Sequence, residues 1–229
     1  MASRINFKTI IAKYARLGKA NVRLTQSSLF LTKPINAATT VYNFDVLETQ
    51  TATLSATETR LNLNDEFIVA SMSMGFECDV LGEGGAVTGV KFLLTYAPFE
   101  QDSAEAVKIA NFYAGNLQIS VNNVVYLDKY DVKRSQYAGT TQFANLLATG
   151  APSVQPSIDW SKDSFYGNEP LLTLAGSKKN QIQVTLPSAI DVANFKISDN
   201  NGGSYILKAT RVFWFARGLN AQNASVFQN

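Results

Sequence analysis

EFIVASMSMGFECD, residues 66–79, is the stretch on which the fold turns. Ile68, Ala70, Met72, Met74, Phe76 and Cys78 are apolar at every second position, and Ser71, Ser73, Gly75, Glu77 and Asp79 alternate with them. Successive side chains of a strand point to opposite faces, so this run predicts a long strand with one buried face.

The chain downstream keeps the same period. A glycine loop at 82–85 leads into 87–97, where Val90, Phe92, Leu94 and Tyr96 share a face. Asp102 and Glu105 have capping-box spacing, which predicts a helix over 104–114 that stops at Gly115. Leu117, Ile119 and Val121 alternate into Asn122-Asn123 before 124–130 returns, and paired asparagines tolerate positive φ, so a tight hairpin is expected. Residues 131–170 are irregular, with Pro152, Pro156, Trp160, Phe165, Tyr166 and Pro170 along a long excursion. Runs at 171–174, 181–187, 193–198 and 204–217 complete the pattern, and Val212–Ala216 is apolar on both faces.

From Glu66 onward this makes eight strands, the first and last longest, with a helix after the second and a hairpin between the third and fourth. The reading is an all-β chain, an eight-stranded antiparallel jelly-roll β-sandwich. Counting the Thr- and Val-rich lead-in as strands admits a second arrangement, two very compact stacked jelly rolls.

Upstream lies RINFKTIIAKYARLGK, residues 4–19. At 100° per residue, Phe7, Ile10, Ile11, Tyr14 and Leu17 form one arc, with Lys8, Lys13, Arg16 and Lys19 opposite. Residues 1–44 hold seven cations and no acid, whereas the remainder holds 13 cations and 18 acids. The net charge of +2 thus conceals a basic arm on a mildly acidic body. A helix this short is marginal in water, so its apolar face needs a surface. Its own domain, a neighbouring subunit, an anionic surface (lipid before nucleic acid) and the role of a cleaved transit peptide all fit. The expected organisation is a basic amphipathic helix over 1–21, an extended arm with lead-in strands over 22–63, a jelly roll over 64–219 and a polar tail over 220–229.

Composition narrows the chemistry. The chain has no histidine and one cysteine, Cys78, which removes Ser-His-Asp and Cys-His nucleophiles, imidazole metal sites and internal disulfides. No cofactor and no metal are expected. Charged residues make up only 17% of the 229, which suits a protein that covers much of its outside in an assembly. GEGGAVTG at 82–89 precedes a strand, whereas a phosphate loop opens a helix. Asp65/Glu66 and Asp128/Asp131 read as strand-end solvation and not as acid–base couples. No catalytic constellation remains, and the chain reads as a non-enzyme.

The segments NDEFIVASMSMGF (64–76), FYAGNLQISVNNVVYLDKYD (112–131) and GSKKNQIQVTLP (176–187), together with the basic N-terminal helix, resemble jelly-roll capsid proteins of tailless icosahedral phages with an internal membrane. The group is the Flavobacterium-type single-stranded DNA phages, within the adenovirus-like lineage. The resemblance implies a self-assembling shell subunit, either major capsid or vertex (penton) protein, located in the virion. Its partners would be further copies of itself in trimers or pentamers, other capsid proteins and the internal lipid membrane, with no specific nucleic-acid ligand. Phe7, Lys8, Ile10, Ile11, Lys13, Tyr14, Arg16, Leu17 and Lys19 would meet the membrane or a neighbouring subunit. Trp160, Phe165, Tyr166, Phe213, Trp214 and Phe215 are the residues expected at subunit interfaces. Major capsid proteins of that lineage are longer and contain two stacked barrels, a departure that leaves the role within the shell open. A carbohydrate-binding β-sandwich, such as a phage spike or lectin-like module, is the alternative.

Overall fold

A computed structural model describes residues 7–17, 22–48, 58–82, 85–95, 103–136, 165–190, 195–198 and 204–224. The described chain is an all-β sandwich of antiparallel strands with two helices. Its strands are β1 (Arg23–Pro34), β2 (Val41–Phe44), β3 (Glu66–Leu81), β4 (Val87–Leu94), β5 (Asn116–Val121), β6 (Val124–Asp131), β7 (Tyr166–Ala175), β8 (Asn180–Thr185), β9 (Phe195–Ser198) and β10 (Ser204–Gln222). The helices are α1 (Phe7–Arg16) and α2 (Ser103–Tyr113). The large sheet runs β1-β10-β3-β4, with β7 also on β3 and β9 also on β10, and the small sheet runs β2-β8-β5-β6.

β3 and β10, the two longest strands, pair antiparallel from Glu66↔Ala221 to Leu81↔Ile206. That central pairing is the one that their length suggested. The single buried face expected for residues 66–79 is corrected, because β3 is covered on both sides. Ala70 is an extra residue in β3: Arg217 opposes Ser71 and Gly218 opposes Val69. Such a bulge reverses which parity faces inward. Phe67 and Val69 enter the core before it, and Met72, Met74, Phe76 and Cys78 enter after it. Ile68 therefore faces outward, into a separate apolar cluster beneath α1. Thr210 is the matching extra residue in β10, between Ala209↔Cys78 and Arg211↔Glu77.

The core between the sheets joins Leu31, Phe67, Met74, Phe76 and Trp214 of the large sheet to Phe44, Leu117, Ile119, Ile182 and Val184 of the small one. Burying each such side chain contributes about 1.5–3 kcal/mol. Helix α2 adds Ile109, Phe112 and Tyr113. Phe112 lies 4.6 Å from Phe76 between ring centroids, and Tyr113 meets Phe76 edge-on at 6.4 Å. Asn111 Nδ2 donates to the Ser188 carbonyl at 2.9 Å and fastens the helix to the chain after β8.

The lead-in, which the sequence allows as strands or as arm segments, contributes β1 and β2 to the sandwich. β1 pairs with β10 along its whole length, from Arg23↔Gln222 to Pro34↔Arg211, and β2 forms one edge of the small sheet. The boundary at residue 220 is likewise moved, since β10 continues to Gln222. Among the described residues eight strands, β3–β10, lie from Glu66 onward, and β1 and β2 add two in the lead-in. Phe30 exchanges backbone bonds with Thr59 at 2.9 and 2.8 Å, which closes part of the exposed edge of β1. β7 begins at Tyr166, and Pro170, which has no N–H, falls where the pairing with β3 shifts between Leu172↔Val69 and Gly167↔Ser71. Asn122 and Asn123 take φ of 50° and 63° in the tight β5–β6 turn.

At Gly218 the β10 backbone approaches β3 so closely that a Cβ there would overlap the Ile68 carbonyl oxygen. Gly218→Ala is expected to destabilise the protein by about 2 kcal/mol or more, read from urea unfolding. A change within about 0.5 kcal/mol of the parent would show that the strands do not approach this closely.

Candidate assembly interface

The outward face of the large sheet gathers most of the residues that the sequence marks as contact-making. It divides into a helix-covered zone and an aromatic zone. In the first, α1 lies across the paired ends of β3, β10 and β1. Ile10 and Tyr14, one turn apart, are buried against Ile68, Leu219, Ala221 and Ala224, with Leu24 and Leu171 at the margin. Tyr14 Oη donates to Glu66 Oε2 at 2.9 Å in a buried contact. The last turn carries Lys13 and Arg16, which suit the negative end of the helix dipole.

The sequence left open whether the helix meets its own domain or something else, and α1 docks on its own sheet. Docking uses only part of the apolar arc: Ile11 is 55% and Leu17 57% exposed. Lys8, Lys13 and Arg16 are exposed as well. The side chain of Phe7 and all of Lys19 lie outside the described residues.

In the aromatic zone Phe30 packs on Phe213 at 5.5 Å and edge-on to Phe215 at 5.4 Å. Phe165 meets Phe215 edge-on at 5.2 Å, and the Arg217 guanidinium sits 4.0 Å over the Phe165 ring. Phe213 is fully buried within the chain, and Trp214, one residue on, points into the sandwich core. Neither is available to a neighbouring molecule, which corrects their assignment as interface residues. Strand alternation places them on opposite sides of the sheet, and both sides are covered. Phe165 and Phe215 are half-buried and Tyr166 is exposed, so these three border the surface. Trp160 lies outside the described residues.

The acidic pairs have structural partners. Asp65 Oδ2 accepts from Asn220 Nδ2 and Asp65 Oδ1 from the Asn223 N–H, both at 2.8 Å, tying the start of β3 to the end of β10. Asp128 accepts from Gln118 Nε2, and Asp131 Oδ1 caps a 3-10 turn at the Lys133 N–H. The tie through Glu66 was not legible locally, because Tyr14 is 52 residues away. Among the described residues no group of three or more His, Cys, Asp or Glu is placed to hold a metal, and no helix is long and apolar enough to cross a membrane.

Comparisons with protein-family models, with curated proteins and with solved structures find no significant match.

Burial, then the Glu66 charge and its hydrogen bond, hold the Tyr14 phenol well above its ordinary 10.0. A raised value in the docked state makes the contribution of Tyr14 complete below the ordinary value and weaker as pH climbs beyond it, since the released phenol ionises first. A dye at Ile11→Cys should gain rotational freedom above about pH 10. Tyr14→Phe should weaken docking by about 2 kcal/mol at neutral pH and remove that alkaline step.

Proposed function

We propose that the chain is a structural protein, a self-assembling shell subunit of a virion, built on a jelly-roll type of sandwich. One observation carries the reading: a cationic amphipathic helix is held on the outside of a stiff sandwich by few side chains and leaves Ile11, Leu17, Lys8, Lys13 and Arg16 facing outward. A body with a sealed core and a helix with apolar and cationic groups to spare suit a subunit that positions itself against an inner membrane or a neighbouring copy. The absence of histidine and the low charge content support a role without catalysis. The long central pair of β3 and β10, the helix after β4 and the β5–β6 hairpin favour jelly-roll wiring. Pairing β3 with β4, β5 with β6 and β9 with β10 inside single sheets departs from that wiring, which divides each of these pairs between its two sheets. In this reading lateral contacts with further copies, in trimers or pentamers, and with other capsid proteins form at the rim around Phe165, Tyr166 and Phe215. They need many modest interfaces, each with an apolar centre.

Light scattering and electron microscopy of purified protein under assembly conditions test the proposal. Stable capsomers or closed particles are expected, and a uniformly monomeric protein at all concentrations would contradict it. Deleting residues 1–19 should leave the sandwich folded, because the cluster under α1 is separate from the main core, while assembly or binding to anionic vesicles falls. Loss of folding on that deletion would make the helix a core element and remove its proposed role.

A further inference from the structure

The outward face of the small sheet holds a row of polar side chains that shell assembly does not use. Register aligns Asn43 of β2, Gln183 of β8 and Gln118 of β5, and Gln118 reaches Asp128 on β6. Gln183 Nε2 donates to Asn43 Oδ1 at 3.0 Å, and Gln118 Nε2 donates to Asp128 Oδ1 at 3.2 Å. Four strands at ~4.8 Å spacing make the row about 14 Å long. Its neighbours on β2, β8 and β5 are Val41, Gln181, Thr185, Asn116 and Ser120, so no outward position of these three strands is charged. Solvated surfaces ordinarily draw on Lys, Glu and Arg, and their absence here is selective. Asp128 is brought to this face by its hydrogen bond from Gln118, and Tyr126 is the extra residue of β6 between Ile119↔Leu127 and Ser120↔Val125. Tyr126, two residues along β6 from Asp128, is 61% exposed.

We propose that this face binds a neutral glycan chain lying along the row, a function beyond the shell role and independent of it. Each amide uses one group in the ladder and keeps another: Asn43 Nδ2, Gln183 Oε1 and Gln118 Oε1 have no protein partner among the described residues. An amide offers a donor and an acceptor side by side, which matches the adjacent hydroxyls of a sugar, and the Asp128 carboxylate accepts from two. The Tyr126 ring supplies a flat apolar surface for the C–H face of a pyranose. Asp128 and Asp131, with the exposed Lys129 between them, leave β6 net negative, which disfavours a polyanion. A protein neighbour fits less well, because a stable protein interface needs about 800 Å² per partner with an apolar centre.

The full chain is titrated with neutral hexasaccharides of glucose, xylose and mannose, followed by calorimetry and by the side-chain amide resonances of Asn43, Gln118 and Gln183. Saturable binding of at least one, with Kd of about 1 mM or tighter, is expected. Tyr126→Ala and Gln183→Ala should each weaken it about tenfold or more at unchanged melting temperature, and the isosteric Gln183→Glu serves should the alanine variant melt early. No saturable binding to any of the three overturns the proposal, as does binding that these variants leave unchanged or a preference for a sulfated chain. Particle formation is scored separately, so failure here leaves the shell reading standing on its own test.

Discussion

The antiparallel pairing of β3 with β10 is the constraint on which the rest of the molecule depends. Every other strand of the large sheet attaches to one of these two: β1 and β9 to β10, β4 and β7 to β3. Because both strands are long, one half of each can face a different neighbour from the other half. The two bulges, at Ala70 and Thr210, set which side chains serve which face. Without the Ala70 bulge, Ile68 would point between the sheets and α1 would lose the centre of its docking cluster. The spine therefore determines both the sandwich interior and the platform outside it.

That arrangement separates two kinds of stability. The main core is wide, apolar and shared by both sheets, and α2 helps to fill it. Among the described residues the cluster under α1 is small and draws on Ile10, Tyr14 and the buried Tyr14–Glu66 hydrogen bond. A ten-residue helix gains little from its own backbone in water, so its order depends on that contact. Local units with few buried contacts open at lower free energy than the body to which they attach. A helix of this kind can leave its platform without unfolding the sandwich, which is the property that a membrane- or neighbour-seeking element requires.

Much of this was legible in the sequence, and the failures have physical causes. Alternation marked β3, β4, β5 and β10 because a half-buried strand writes its faces into the chain at period two. Asn122-Asn123 marked its turn for a stereochemical reason that needs no tertiary context. What alternation does not carry is an inserted residue: Ala70 is apolar and small, so it continues the pattern while reversing the faces. β1 and β2 read as strands or as arm segments alike since their partners lie far along the chain, and pairing with β10 and β8 makes them sheet. Phe213 and Trp214 read as a strand end covered on both faces and as interface candidates, because consecutive apolar residues look alike whether the cover is the chain's own or a neighbour's. The amphipathic helix was plain, but the identity of its surface was not, as Tyr14 and Glu66 are joined only in three dimensions.

Native-state hydrogen exchange measures the central claim most directly, namely a rigid β3–β10 spine carrying a separable helix. The amides of β3 between Phe67 and Cys78 and of β10 between Val212 and Leu219 should be the slowest and exchange only through global unfolding. Those of α1 should exchange through a local opening several kcal/mol less costly, insensitive to low denaturant. Exchange of α1 at the same free energy as the spine, or early exchange within β3 and β10, would contradict it.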